Sequence, residues 1–288
     1  MTPNLFLIAA PRAGSTQLSR WLDSHTDISL PKIKEPNHFS AHEFDPVEVR
    51  KSYLNDVDPA RFIARDQPVT MQFAVFRDPV HYEALFAPLK TRYRLDASTS
   101  YLSCPEAPAL IHTAHPDARL IMLTRDPLNR ALSHYHLARR TGRTRAPLAA
   151  ELANEVAART PLSARYLLRP SRQNEAVACY RAVFPQSQLL ELTFEQMIAD
   201  PTATLERIAA WLRINPKGFD LTTLARNESA APRLPVLNAA LHKSGLKTAL
   251  RAALPHGFKQ RLKPLWFGAP LPEIPQSDIA ALQKALTP

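Results

Sequence analysis

Leu5-Phe6-Leu7-Ile8-Ala9-Ala10-Pro11-Arg12-Ala13-Gly14-Ser15-Thr16-Gln17-Leu18 is the stretch that decides the fold. Its first five residues are continuously apolar, as in a strand buried on both faces of a parallel sheet. Leu18, Trp21 and Leu22 then recur at helical spacing. Between strand and helix, Pro11, Arg12, Ala13, Gly14, Ser15 and Thr16 form a short loop. Such a loop aims unpaired amides and the positive end of the helix dipole at an anion. Gly14 lets backbone approach a phosphate, Ser15 and Thr16 add hydroxyls, and Arg12 adds fixed positive charge. The same residues also read as an ordinary strand–helix turn capped by Ser or Thr.

Working outward, Arg119-Leu120-Ile121-Met122-Leu123-Thr124 repeats the pattern. Arg125-Asp126-Pro127 follows, then a helix carrying Ala131, Leu132, Tyr135 and Leu137. A third apolar run, Leu189–Leu192, precedes Phe194-Glu195-Gln196-Met197, and Arg94–Ala97 is a weaker strand. Spacing predicts helices over 105–114, 147–159, 172–184 and 202–213. Strands alternating with helices imply an α/β fold with a P-loop-like parallel sheet flanked by helices on both faces. No linker or internal repeat interrupts the chain. It reads as one domain, 1–288, with its core over about 4–215. A helical and irregular region over about 230–288 is expected to pack on that core.

The chain has 288 residues, with 6 glycines and 27 prolines. Average usage would give roughly 20 and 14. Glycine scarcity excludes collagen, Gly/Ser linkers and a dinucleotide fold that spends several glycines on one turn. Cys104 and Cys179, two and far apart, read as buried thiols in a reducing cytoplasm. The absence of clustered Cys and His ligands in the sequence argues against a structural zinc site, and no metal is expected. No apolar run approaches the roughly 18 residues of a membrane span, and no signal peptide is visible. A cytoplasmic protein is the expectation. The net charge of +10 asks for an anionic partner. Basic residues from Lys243 to Lys263 interleave with Leu241, Leu246, Leu250 and Leu254. Residues 237–263 therefore read either as a solvated helix packing its leucines or as a peripheral membrane contact.

The loop is not a nucleoside-triphosphate P-loop of the form G-x-x-x-x-G-K-[ST], because Ala9 replaces the first Gly and Ser15 stands where Lys belongs. It resembles instead the 5′-phosphosulfate loop of sulfotransferases that use 3′-phosphoadenosine 5′-phosphosulfate (PAPS), P-K-[ST]-G-[TS]-[TS]-x-L. Arg125-Asp126-Pro127 with Arg130-Ala131-Leu132-Ser133-His134-Tyr135 is similar to that family's 3′-phosphate motif, which implies that role for Arg125 and Ser133. Pro31-Lys32-Ile33-Lys34-Glu35-Pro36-Asn37-His38-Phe39 resembles the K-E-P-x-x-F segment of bacterial and Golgi-type members, whose Glu is a proposed general base. Ala97-Ser98-Thr99-Ser100-Tyr101-Leu102 resembles a segment near the acceptor site. Glu191–Glu195 with Ala199-Asp200-Pro201 resembles a later structural stretch.

The resemblance implies PAPS as sulfuryl donor, adenosine 3′,5′-bisphosphate (PAP) as product, and a glycan, lipid or small metabolite as acceptor. It makes Glu35 and Arg12 the catalytic candidates. Pro11, Arg12, Ala13, Gly14, Ser15, Thr16, Arg125 and Ser133 would hold the nucleotide. Lys34, Asn37, His38, Ser98 and Ser100 would face the acceptor, with Asn37 and His38 competing for one role. Three departures stand out. Arg12 replaces the loop lysine, Asn37 sits where His is common, and Pro170-Ser171-Arg172 replaces Gly-x-Tyr. A guanidinium grips phosphate well but protonates nothing, since it is never neutral. The alternatives are a kinase or ATPase, opposed by the missing Walker lysine, and a basic nucleic-acid-binding protein. The second lacks an aromatic-interleaved basic patch and zinc-finger spacing. An inactive relative that binds nucleotide without transfer is a further alternative.

Overall fold

The computed structural model describes residues 2–47, 49, 58–65, 70–159, 165–222, 231–232, 267–269 and 273–287. It divides into two compact units that interleave in sequence. The first comprises Met1–Phe44, Val57–Arg130 and Arg172–Ala225; the second comprises Asp45–Asp56, Ala131–Ser171 and Arg226–Pro288. Because the units exchange chain several times, no single linker marks the division, and the sequence reads as one domain.

The first unit is an α/β layer structure. Strands β1 (Leu5–Ala9), β2 (Ile28–Ser29), β5 (Tyr93–Asp96), β6 (Arg119–Thr124) and β7 (Leu189–Thr193) form one sheet in the order β2-β5-β1-β6-β7. All four pairings are parallel. Strand β1 is central and buried at every residue, which is why its sequence shows no alternation. Its register with β6 pairs Leu5 with Arg119 through Ala9 with Leu123. The ends of both strands, and the loops that follow them, therefore emerge side by side. A separate parallel pair, β3 (Ile33–Glu35) and β4 (Met71–Phe73), aligns Glu35 with Phe73. The three short strands β2, β3 and β4 lack a legible sequence signal, because two or three residues are too few to show a period.

Helices of this unit are α1 (Ser15–Asp23), α2 (Pro59–Ala64), α3 (Pro79–Phe86), α4 (Ala107–Ala114), α7 (Gln173–Val183), α8 (Phe194–Ala199) and α9 (Pro201–Leu212). Helix α1 buries Leu18, Trp21 and Leu22, the three residues whose spacing predicts it. Asp58, Asp78, Thr193 and Asp200 each cap a helix by accepting an amide hydrogen bond. Such caps stabilise by about 1 kcal/mol each. Cys104 is buried, but Cys179 is exposed on α7, correcting the reading of both as buried thiols. Val177 and Tyr180 take the buried face of α7, leaving Cys179 outside it.

Helix α5 (Pro127–Thr141) begins in the first unit and continues in the second. The second unit adds α6 (Leu148–Val156) and α10 (Gln276–Leu286). Leu282 of α10 is fully buried, and Asp278 accepts the Ala149 amide at 3.1 Å. That contact docks 276–286 on α6. Inside this unit the buried Glu155 carboxylate accepts the amides of Leu167, Leu168 and Arg169 at 2.8–3.1 Å. It thereby shapes the turn before Pro170-Ser171. Strands β8 (Ala231–Pro232) and β9 (Phe267–Ala269) pair antiparallel. The basic, leucine-rich stretch 237–263 lies outside the described residues. Among the described residues, no helix is long and apolar enough to cross a membrane.

Candidate active site

Three loops of the first unit leave the carboxyl ends of β1, β6 and β5, where open parallel sheets place ligands. The β1 loop turns at Arg12, whose φ is 74°, and at Gly14, whose φ is 86°. Gly14 is the N-cap of α1, and Gln17 and Leu18 are the first residues to donate back to its carbonyl, at 2.9 and 3.0 Å. The amides of Ser15 and Thr16 therefore precede the first intrahelical bond and point out of the helix start. The side chain of Ser15 is largely buried, and Arg12 and Thr16 are half-buried. A Cβ on Gly14 would lie 2.7 Å from Met197 Cε and 3.0 Å from Phe194 Cδ2. Glycine is thus required by the left-handed turn and by the packing behind it.

Two arginines hold the loop from β6 and α5. The Arg125 guanidinium donates to the Arg12 carbonyl at 2.7 Å, and Arg130 donates to the Pro11 carbonyl at 3.4 Å. Arg130 is fully buried. Arg125 lies 4.4 Å over the Phe194 ring, its Nε buried without a partner among the described residues. Its backbone is clamped on both sides by Gln173, at 2.9 and 2.7 Å. Burial lowers the Arg125 pKa, opposed by Glu195 and Asp126. Asp126 accepts the Asn129 amide at 2.8 Å and starts α5, with Pro127 as its first residue. Glu195 accepts the Asp126 amide at 3.0 Å. The 193–201 stretch is therefore the rear wall of the β1 loop, through Phe194, Glu195 and Met197. Ser133 sits half-buried on α5.

Glu35 ends β3 and is anchored by three donors. Lys34 Nζ and Gln72 Nε2 reach Oε1 at 3.0 and 2.7 Å, and Thr99 Oγ1 reaches Oε2 at 3.0 Å. Lys34 also donates to the Ala97 carbonyl at 3.2 Å. The side chains of Lys34 and Glu35 are 8% and 14% exposed, so this is not a solvated surface pair. Sequence reasoning missed Gln72 and Thr99 as partners. Gln72 lies on the unsignalled β4, and Thr99 lacks a local pattern.

Asn37 is fully buried with φ 53°. Its Nδ2 donates to the carbonyls of Glu35 and Ala74 at 2.7 and 2.8 Å, and its Oδ1 accepts from Ser100 at 2.5 Å. Its amide donates to Ser98 Oγ at 3.0 Å. Ser98 is itself fully buried and donates to Asp96. The structure thus places Asn37 and Ser98 as internal supports of the Glu35 strand end. His38 is half-buried, its Nδ1 donates to the Phe76 carbonyl at 2.8 Å, and its ring stacks on Tyr82 at 4.2 Å. Burial lowers its pKa.

Asp96 is the root of this network. Its Oδ1 accepts the Ser98 amide and hydroxyl at 3.0 and 2.7 Å, and its Oδ2 accepts the hydroxyls of Tyr82 and Tyr101 at 2.7 and 2.8 Å. Burial nevertheless raises its pKa from 3.8 to about 6, against the pull of those donors. A carboxyl raised on folding contributes stability that is complete below the unfolded value and lost as pH rises through the folded one. Wild type is therefore expected to lose about 3 kcal/mol relative to Asp96→Asn between about pH 3 and about pH 7. Urea unfolding of both proteins across that range checks it, and a pH-independent difference would count against it.

The sequence shows no clustered Cys and His ligands, but the fold brings four ligand-bearing side chains together among the described residues. His42, Glu43, Cys104 and Glu106 place ligand atoms within 4.8 Å of one another. The turn at 38–43 and the turn at 99–103 bring together residues 62 apart in sequence.

A parallel sheet, a loop turned at Arg12 and Gly14 before the first helix, and arginines bonded to that loop define an α/β protein. Residues 3–217 match the model of the sulfotransferase family, and the chain belongs to that family. Mouse carbohydrate sulfotransferase 15 is 28% identical over 152 residues, covering 46% of this chain. That match spans only 27% of the mouse protein. The crystal structure of a sulfotransferase from Alicyclobacillus acidocaldarius shares the fold at TM-score 0.62. It is 24% identical, and the superposition covers 90% of this chain and 99% of that one. A mouse sulfotransferase crystallised with PAP superposes at TM-score 0.47 and 16% identity, over 74% of this chain and 58% of that one.

Proposed function

We propose that this chain transfers the sulfuryl group of PAPS to a hydroxyl or amine of a glycan, lipid or small-molecule acceptor, releasing PAP. The observation that carries the reading is the bond from Arg125 to the Arg12 carbonyl. It joins the two segments that resemble the family's 5′- and 3′-phosphate motifs. The bridging S–O bond to the 5′-phosphate breaks as a new bond forms from the acceptor atom to sulfur. The acceptor's proton passes to Glu35, and negative charge builds on the 5′-phosphate. Arg12, the hydroxyls of Ser15 and Thr16 and the loop amides stabilise that charge, with Pro11, Ala13 and Gly14 giving the loop its shape. Arg125 and Ser133 are assigned to the 3′-phosphate, which distinguishes PAPS from ATP. Lys34 and Thr99 orient the base, and His38 and Ser100, each half-buried, are assigned to the acceptor.

Calorimetric titration with PAP and with ATP–magnesium tests the nucleotide assignment. Tight PAP binding that Arg125→Ala weakens at least about tenfold is expected, since a charged hydrogen bond contributes about 1.5–3 kcal/mol. ATP binding without PAP binding would instead favour a phosphotransferase.

A further inference from the structure

We propose that His42, Cys104 and Glu106, with Glu43 beside them, form a binding site for a thiophilic divalent cation of the zinc type. His42 and Glu43 close the 38–43 turn, Cys104 follows the 99–103 turn, and Glu106 precedes α4. The three ligand atoms form a nearly regular triangle. Cys104 Sγ lies 3.7 Å from His42 Nε2 and 3.5 Å from Glu106 Oε2, and His42 Nε2 lies 3.4 Å from Glu106 Oε2. A tetrahedral zinc ion with bonds of about 2.3 Å to sulfur and about 2.05 Å to nitrogen or oxygen requires edges of about 3.6, 3.6 and 3.3 Å. The observed triangle is thus one face of that tetrahedron, formed before any ion is bound.

The donor chemistry selects the ion. One thiolate, one imidazole and one or two carboxylates suit zinc, cobalt or cadmium, whereas magnesium and calcium want oxygen alone. Exposure divides the site sensibly. The Cys104 sulfur is enclosed, whereas the His42 and Glu106 side chains are 50% and 61% exposed, leaving an entry path. Burial, with Glu43 adding to it, pushes the metal-free Cys104 thiol up to about 12, so the sulfur is not a nucleophile. Binding would release the thiol proton to solvent as the sulfur–metal bond forms.

The position in the fold gives the site a role. The two turns it would join already meet through Ser40 and Ser100 at 2.6 Å. One starts at Asn37, and the other carries Thr99, the partner of Glu35. A bound cation would pin the acceptor-side wall without touching Glu35.

Cobalt titration of chelator-treated protein, read by absorption and by melting temperature, tests this. Expected are one equivalent bound, a sulfur-to-cobalt charge-transfer band and tetrahedral d–d bands, and a raised melting temperature. Zinc should displace the cobalt. Cys104→Ser should abolish the charge-transfer band, and Cys179→Ser should keep it. His42→Ala and Glu106→Gln alter exposed side chains, so they should fold and weaken cobalt at least about tenfold, by loss of one ligand of few. Absence of the band in wild type, or equal affinity in His42→Ala and Glu106→Gln, would overturn the proposal. PAP binding measured on the same samples is independent of these outcomes, so failure of the cation site is distinguishable from failure of the sulfotransferase reading.

Discussion

Glu35→Gln is expected to lower sulfuryl transfer by about 10²- to 10⁴-fold, the range for removing a positioned general base. The glutamine keeps the carboxylate's shape. Its carbonyl can still accept from Lys34 and Gln72, which meet Oε1. Its amide would face Thr99, whose hydroxyl reaches Oε2 at 3.0 Å and can turn to accept. The β3 strand end should therefore stay in place, since Asn37 holds the Glu35 carbonyl rather than its carboxylate. The loop after β1 lies on a different strand, so PAP affinity should be nearly unchanged. Turnover of labelled PAPS alongside PAP calorimetry separates the two effects. Unchanged turnover would remove Glu35 from its role. Loss of PAP binding would show that the substitution disturbs more than proton transfer.

The parts legible in sequence are those carried by long apolar runs and by the residues at their ends. Strands β1, β6 and β7 are buried along most of their length, so burial wrote itself into composition. The loop at 11–16 and Arg125 could be named because they sit at those strand ends. The supports of the site were not legible. Arg130 reads as one more charge on an amphipathic helix, yet it is fully buried and bonded to the loop. Phe194 and Met197 read as ordinary core, although they press on Gly14 from 180 residues away in the chain. The Asp96–Ser98–Asn37–Glu35 chain of hydrogen bonds depends on a parallel pair, β3 with β4, whose strands are too short to announce themselves. Contacts between residues distant in sequence leave no periodic trace, and the His42–Cys104–Glu106 cluster escaped for the same reason.

Gly14→Ala is expected to destabilise the first unit by about 2–5 kcal/mol and to weaken PAP binding. Two independent terms add. A left-handed backbone at φ 86° costs a residue with a Cβ about 1–2 kcal/mol. Overpacking against a filled wall costs about 1–3 kcal/mol more. The two neighbours differ in how they yield. Met197 Cε, at 2.7 Å, is the end of a flexible side chain and can swing. Phe194 Cδ2, at 3.0 Å, belongs to a rigid ring that also carries the Arg125 guanidinium. If the ring moves, Arg125 moves, and with it the bond to the Arg12 carbonyl. Met197→Ala alone opens a cavity in a fully buried position and should cost about 2–5 kcal/mol. In the double variant the new methyl partly fills that cavity, so the two costs should sum to more than the measured loss. Denaturant unfolding of the four proteins gives the coupling. Strict additivity would mean that Met197 does not confine Gly14. Partial recovery of stability without recovery of PAP affinity would place the damage in the loop's backbone and in Arg125, where the left-handed turn and the stacked guanidinium set the shape of the anion site.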